Sequence, residues 1–348
     1  MRVPSVTIDA SVLAVPSNVS SADAVHEYVD SLLDWQVLLN EPWVAIYMSE
    51  RAAEGLFEKE LYPLRDHLRQ LFAAHGVTEY DVNTVARVAD QLLQTTPSFE
   101  TYFKVKDVLF EQLSTTPDIL QFCTSQGLHS DLARCIVLIA ILRNHCSTAV
   151  RDHSLILRDA CTPTVTVEAL VHCLECERED VEELPSPPDF FRGDVLVCKD
   201  FRGLIDCLEA SAILLSSSDD VGIETAIRVA LYKARLGRGE EPEWTETGRM
   251  RLGAEFSQHL RKCCADADSS FPSRALRAIV EAIDQQNLRA IHALRESPAG
   301  NSPQRTRGRD RAWRRDIDRE YHLHYWECGD GSIELASVGV HNEFAIPE

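Results

Sequence analysis

Four acids stand where an alternating α/β chain could gather them: Asp9, Glu54, Asp131 and Asp159. Asp9 closes a short apolar strand, Val6-Thr-Ile-Asp-Ala-Ser-Val-Leu13, where an unpartnered carboxylate is costly to bury. Glu54 lies on the helix after a second strand at Val44–Ser49, Asp131 opens a helix beginning at Ser130, and Asp159 ends the strand-like Ser154-Leu-Ile-Leu-Arg-Asp159. Carboxylates brought within a few ångströms repel one another and raise their own pKa values unless a cation neutralises them, so such a cluster calls for Mg²⁺ or Mn²⁺. An ion held this way can activate a water and stabilise the leaving oxygen of a phosphodiester. Each acid also has a plainer reading: Asp131 as a helix-start acid favoured by the macrodipole, Asp159 as a turn residue, Glu54 on a solvated helix face.

A second set of candidates lies near the C-terminus. Arg305, Arg307, Arg309, Arg311, Arg314, Arg315 and Arg319 crowd into one stretch, and His322, His324 and His341 follow. A local basic patch can take phosphates even on an acidic protein, and Arg311, Arg314, Arg315 and Arg319 are the candidate nucleic-acid contacts. The plain alternative is an exposed, charged loop. His322 and His324 are two apart on a strand, so they share a face and could join His341 as metal ligands.

The elements that must position these residues alternate. A strand at Val6 is followed by a helix capped by Ser20 or Ser21, a strand at Val44–Ser49, and a long helical stretch from Glu50 to about His75, kinked near Pro63. Helical spacing continues over about 81–113 and from Ser130, and the strand at Ser154 comes next. In such a doubly wound sheet the carboxyl ends of the strands meet at one edge, where ligands bind. The acidic, proline-bearing stretch 177–189 reads as a linker, giving an α/β domain over 1–178, a mainly helical middle segment over 189–250, and a small α+β module over 251–348. In that module helices precede strands at Ala312–Ile317, Tyr321–Glu327 and Ile333–Val340, with Gly329-Asp-Gly331 turning the last hairpin.

Ile8-Asp9-Ala-Ser11-Val-Leu13 resembles the opening strand of PIN-domain nucleases, an apolar residue, Asp, any residue, Ser or Asn, then two apolar residues. Tyr47-Met-Ser49-Glu-Arg-Ala-Ala-Glu54 resembles their second strand and acid-bearing helix, His129-Ser-Asp131 the start of the helix bearing the third acid, and Ser154–Asp159 the strand bearing the fourth. The resemblance covers residues 4 to 176, with a long helical insert. It implies an open parallel sheet and a Mg²⁺- or Mn²⁺-dependent endoribonuclease, a toxin or defence effector with RNA as substrate and an antitoxin or defence-system protein as partner. Two departures stand out: the second acid is Glu50, Glu54 or Glu58, and Asp159 is followed by Ala-Cys-Thr-Pro where the family often has an aromatic residue. The last hundred residues more distantly resemble the RelE/ParE toxin fold, which implies a metal-independent RNase with His341 as acid or base and Arg314, Arg315 and Arg319 on the phosphate. The alternative is a non-catalytic RNA- or protein-binding regulator that keeps both folds.

Bulk properties limit these readings. The formal charge of −20 repels polyanions at long range and favours the binding-regulator reading. The 45% hydrophobic content is that of a folded protein. No apolar run approaches the ~20 residues of a membrane span, and the N-terminus lacks a signal-peptide pattern, so a cytoplasmic location is expected. The cysteines sit mostly in apolar helical patterns and read as reduced thiols; the single CxxC, Cys173-Leu-Glu-Cys176, lacks a second pair at zinc spacing.

Overall fold

The computed structural model describes residues 4–17, 19–57, 61–123, 125–145, 153–178, 188–244, 250–297, 302–340 and 345–347. The chain is mixed α/β and divides into two units, the first running to Cys207 and the second from Leu208.

The first strand, β1 (Ser5–Ile8), is buried along its whole length, as expected of a strand covered on both faces. Asp9 ends it and caps a single helical turn, α1 (Ala10–Leu13). Ser21 caps α2 (Ala22–Leu38), which leads to β2 (Ala45–Met48) and α3 (Ala52–Phe57). The kinked helix expected over Glu50–His75 is two helices, because the chain is extended at Leu64, after Pro63, before α4 (Arg65–His75) begins. Next come α5 (Val82–Thr95), α6 (Phe99–Phe103), β3 (Val105–Thr116) and α7 (Gln126–His145), then β4 (Ser154–Ile156), β5 (Thr164–Cys176), β6 (Asp189–Cys198) and α8 (Phe201–Cys207). The helical reading of 81–113 fails beyond Phe103. Lys104 takes a left-handed conformation at φ 54° that stops α6, and β3 then pairs antiparallel with β5. Distant strand pairing here overrides a local apolar pattern that is ambiguous between helix and strand.

The sheet order is β2-β1-β4-β6-β5-β3. Strands β2, β1, β4 and β6 run parallel, and β5 and β3 add an antiparallel wing. Because β2 and β4 flank β1 on opposite sides, the strand order reverses there, the position at which open α/β sheets bind ligands, outside the carboxyl ends of β1 and β4. Helix α7 packs on β3, β5 and β6, and every residue from Asp131 to Leu142 is buried. The boundary expected at 177–189 is therefore displaced: β6 belongs to the first sheet, with Phe191, Val195 and Val197 in its core, and there is no separate middle segment over 189–250.

The second unit has α9 (Ala210–Ser216), α10 (Asp220–Gly237), β7 (Met250–Leu252), α11 (Phe256–Asp266) and α12 (Phe271–Ile283), then β8 (Ile291–Ala293), β9 (Thr306–Arg307), β10 (Asp310–Asp316), β11 (Tyr321–Glu327) and β12 (Ile333–Val340). The three long strands fall where alternation and turn residues put them, with Gly331 at φ 82° in the last turn. The order β7-β12-β11-β10-β8 carries β9 on β10. Tyr321, Leu323 and Tyr325 face the helical core, and Ala312 and Trp326 form a smaller cluster with Ile346. Among the described residues no helix is long and apolar enough to cross a membrane.

Candidate functional site

The parallel strands deliver Asp9, Ser49 and the Leu157-Arg158-Asp159 turn to one edge of the sheet, since each follows the last residue of its strand. Helices α1, α3 and α7 pack against one another there.

Asp9 is 5% exposed. Its Oδ1 accepts a hydrogen bond from Ser11 N at 2.9 Å, and its own N–H donates to Ile156 O at 3.0 Å, tying β1 to β4. Its pKa is raised to about 6, chiefly by burial; the Ser11 hydrogen bonds and Arg158 oppose the rise, and the charge of Asp131 adds to it. Asp131 is 3% exposed and lies within α7, past its first turn rather than opening it. Its Oδ1 accepts from Ser49 Oγ at 2.6 Å, and its Oδ2 is buried with no hydrogen-bond partner. Burial raises its pKa as well, and Glu100 adds to the effect.

Glu100 was not legible as a site residue. It is 2% exposed, at the start of α6, and accepts from Ser98 Oγ at 2.8 Å, Glu50 N at 3.2 Å and Arg134 Nη1 at 2.6 Å. Arg134, one turn of α7 beyond Asp131, is equally buried. Its Nε donates to Asp107 Oδ1 at 3.0 Å and its Nη2 to Lys106 O at 2.7 Å, with Glu50 at 3.4 Å. Its Nη1 lies 4.0 Å from Asp131 Oδ1. Arg134 thus neutralises Glu100 and leaves Asp131 only partly compensated. The signal in the sequence was Arg134 itself, a cation at a core-facing position of an apolar helix, which requires an acid nearby.

Glu54 on α3 and Asp159 in the turn after β4 are both exposed. The structure therefore couples Asp9 to Asp131 but does not close the four-acid set. Of the alternatives for the second acid, Glu50 is engaged with Arg134, and Glu58 lies outside the described residues. Among the described residues no group of three or more His, Cys, Asp or Glu side chains is gathered to hold a metal ion. Asp131 Oδ2 has no hydrogen-bond partner and the charge of Asp131 raises the pKa of Asp9, but two carboxylates are fewer than the ligands a tight cation site needs.

Arg158 reaches under α1, donating to Val12 O at 2.9 Å, with its guanidinium 5.1 Å from the centre of the Tyr28 ring. Tyr28 Oη donates to Leu13 O at 3.0 Å, so the end of α1 is held from two directions.

In the second unit the basic residues disperse. Arg311 and Arg319 are exposed; Arg314 is half-buried with its Nε 3.9 Å from Asp316 Oδ1. Arg315 corrects the expectation of a phosphate contact: it is fully enclosed, donates to Gln286 O at 2.9 Å and pairs with Glu281. It lies on the helix-facing side of β10, where its charge serves the core. Arg307 is likewise paired with Asp310 and Glu334. His322 and His324 do share a face and are buried, His322 Nδ1 lying 2.9 Å from Asp316 Oδ1 and His324 Nδ1 bonding Ala345 O at 3.2 Å. His341 lies outside the described residues. None of the described cysteines is in a disulfide, and Cys173 and Cys176 lie along β5.

No family model, curated protein or solved structure matches this chain.

Proposed function

We propose that the first unit is a divalent-cation-dependent phosphodiesterase of the PIN type acting on RNA, an endoribonuclease of the toxin or defence class. The observation that carries this reading is the Asp9–Asp131 pair: two buried acids from different elements, each with a raised pKa, at the carboxyl edge where the strand order reverses. Asp9 and Asp131 would hold Mg²⁺ or Mn²⁺, and Glu54 and Asp159 would supply carboxylates from the exposed rim. A bound ion supplies an activated water and charge neutralisation at the leaving oxygen. Ser49 holds Asp131 in orientation through its 2.6 Å hydrogen bond, and Arg134 keeps Glu100 from adding a full extra charge.

Arg134 also favours a second reading, a non-catalytic RNA- or protein-binding regulator, because it supplies in protein form part of the positive charge an ion would bring. The net charge of −20 points the same way. Cleavage of a labelled RNA by the full chain separates the readings. EDTA-sensitive cleavage lost in Asp9→Asn and Asp131→Asn supports the nuclease; no cleavage by any preparation supports the regulator. Cleavage that survives EDTA and both variants but is lost in His341→Ala assigns the activity to the second unit.

A further inference from the structure

At the same sheet edge the last residue of β6, Cys198, touches a second thiol. Its Sγ lies 3.5 Å from Sγ of Cys207, the final residue of α8. The contact follows from how the chain turns. Asp200 Oδ1 accepts from Gly203 N at 2.8 Å and its carbonyl from Leu204 N at 3.0 Å, starting α8 immediately after the strand. Leu204 and Ile205 are buried in the core and fix the helix over the end of β6. Cys198 is itself held in place, its carbonyl accepting from Leu157 N at 2.9 Å beside the Arg158-Asp159 turn. One thiol is buried and the other exposed, so an oxidant meets Cys207 first.

We propose that Cys198 and Cys207 form a thiol–disulfide exchange site that takes a low-molecular-weight disulfide of the glutathione class and becomes an intramolecular cross-link. In the first step the Cys207 thiolate attacks one sulfur of the oxidised disulfide. A protein–glutathione S–S bond forms and one glutathione thiolate leaves. In the second, Cys198 gives its proton to solvent and attacks Cys207 Sγ; the mixed disulfide breaks and a second glutathione thiolate leaves and takes up a proton. The two protein thiols lose two electrons in all, and the small disulfide gains them. Bond formation closes the sulfurs from 3.5 Å to about 2.05 Å, a shortening of about 1.5 Å. The contact with Cys207 and then burial disfavour the Cys198 thiolate, and burial persists in the mixed disulfide, so the second step is the slow one. The product staples α8 to the strand whose end supports the turn bearing Asp159. It does not depend on the nuclease reading.

The test treats the full chain with oxidised glutathione, quenches with an alkylating agent and maps the peptides. The expected product is a Cys198–Cys207 cross-linked peptide, two hydrogens lighter than the reduced pair, after a transient adduct on Cys207. Cys173 is the control: it is exposed, and Cys176 lies on the opposite face of its strand, so its glutathione adduct persists. In Cys198→Ser the Cys207 adduct persists as well. A wild-type Cys207 adduct as lasting as that of Cys173, or a Cys198 that remains fully alkylatable after oxidation, overturns the proposal. The wild-type time course decides the matter even where the serine variant fails to fold.

Discussion

Asp9→Asn replaces a buried carboxylate by a neutral side chain of the same shape, and its effect on stability follows from the surroundings of Asp9. The folded protein lifts the Asp9 pKa from 3.8 to about 6, chiefly by burial. At about 1.4 kcal/mol per pH unit, holding this group ionised costs the native state about 3 kcal/mol at neutral pH. The sign is that of a raised acid: the folded state takes up the proton first as pH falls, so the penalty is full above pH 6 and fades between 6 and 3.8. Asparagine keeps an oxygen to accept from Ser11 N, and the value of about 6 already includes what that bond gives the carboxylate. The variant is therefore expected to be about 2 to 3 kcal/mol more stable than wild type at pH 7.5, with the difference vanishing near pH 4. Hydrogen exchange read by mass spectrometry on Val6–Ile8 amides reports the first unit alone, avoiding the assumption that both units unfold together. A variant less stable than wild type at pH 7.5, or a difference that does not change with pH, would refute the reasoning.

Three further outcomes follow from buried groups. Arg134→Met leaves Glu100 uncompensated and is expected to destabilise the first unit by about 3 to 5 kcal/mol, whereas adding Glu100→Gln recovers much of the loss, as a double-mutant cycle in urea would measure. Arg315→Met removes the enclosed partner of the half-exposed Glu281 and is expected to lower second-unit stability by about 2 to 3 kcal/mol, while RNA affinity at matched salt stays unchanged. His153, completely buried between Ser5 Oγ at 2.8 Å and Thr7 Oγ1 at 2.9 Å, has a pKa pushed down to about 3 by burial. The unfolded chain protonates first, so stability drops as pH falls from 6.5 towards 3, and the imidazole NMR resonances of His153 should show no titration above pH 5.

The parts of the fold legible in the sequence were those with one dominant local signal. The strand around Ile8, the Ser21 cap and the three C-terminal strands each combine an unbroken pattern with a clear end marker. Residues Val105–Leu113 were misread because their form depends on β5, which lies far along the chain and contributes nothing to a local window. The domain boundary was misplaced for a related reason: proline and acid mark a loop, but only strand pairing tells whether that loop ends a domain, and β6 rejoins the first sheet. At the site, Asp9 stood out because an acid in an apolar strand is anomalous, and Asp131 because of its place in the order. Glu100 was invisible because α6 looks like an ordinary amphipathic turn, and its partner Arg134 sits thirty-four residues away. The arginines of the second unit adjoin in sequence and so look like one patch, but Glu281 and Gln286 enclose Arg315, while Arg311, near the start of β10, and Arg319, in the turn after it, stay at the surface.

In the proposed nuclease, Asp9 and Asp131 together receive a divalent cation. Calorimetric titration of Mn²⁺ into the full chain measures this without requiring the right RNA. One saturable site is expected in wild type, weakened at least about tenfold in Asp9→Asn and in Asp131→Asn and unchanged in Arg315→Met. Equal Mn²⁺ affinity in wild type and both aspartate variants, or no binding by wild type, would contradict it and leave the acids as an arginine-balanced core.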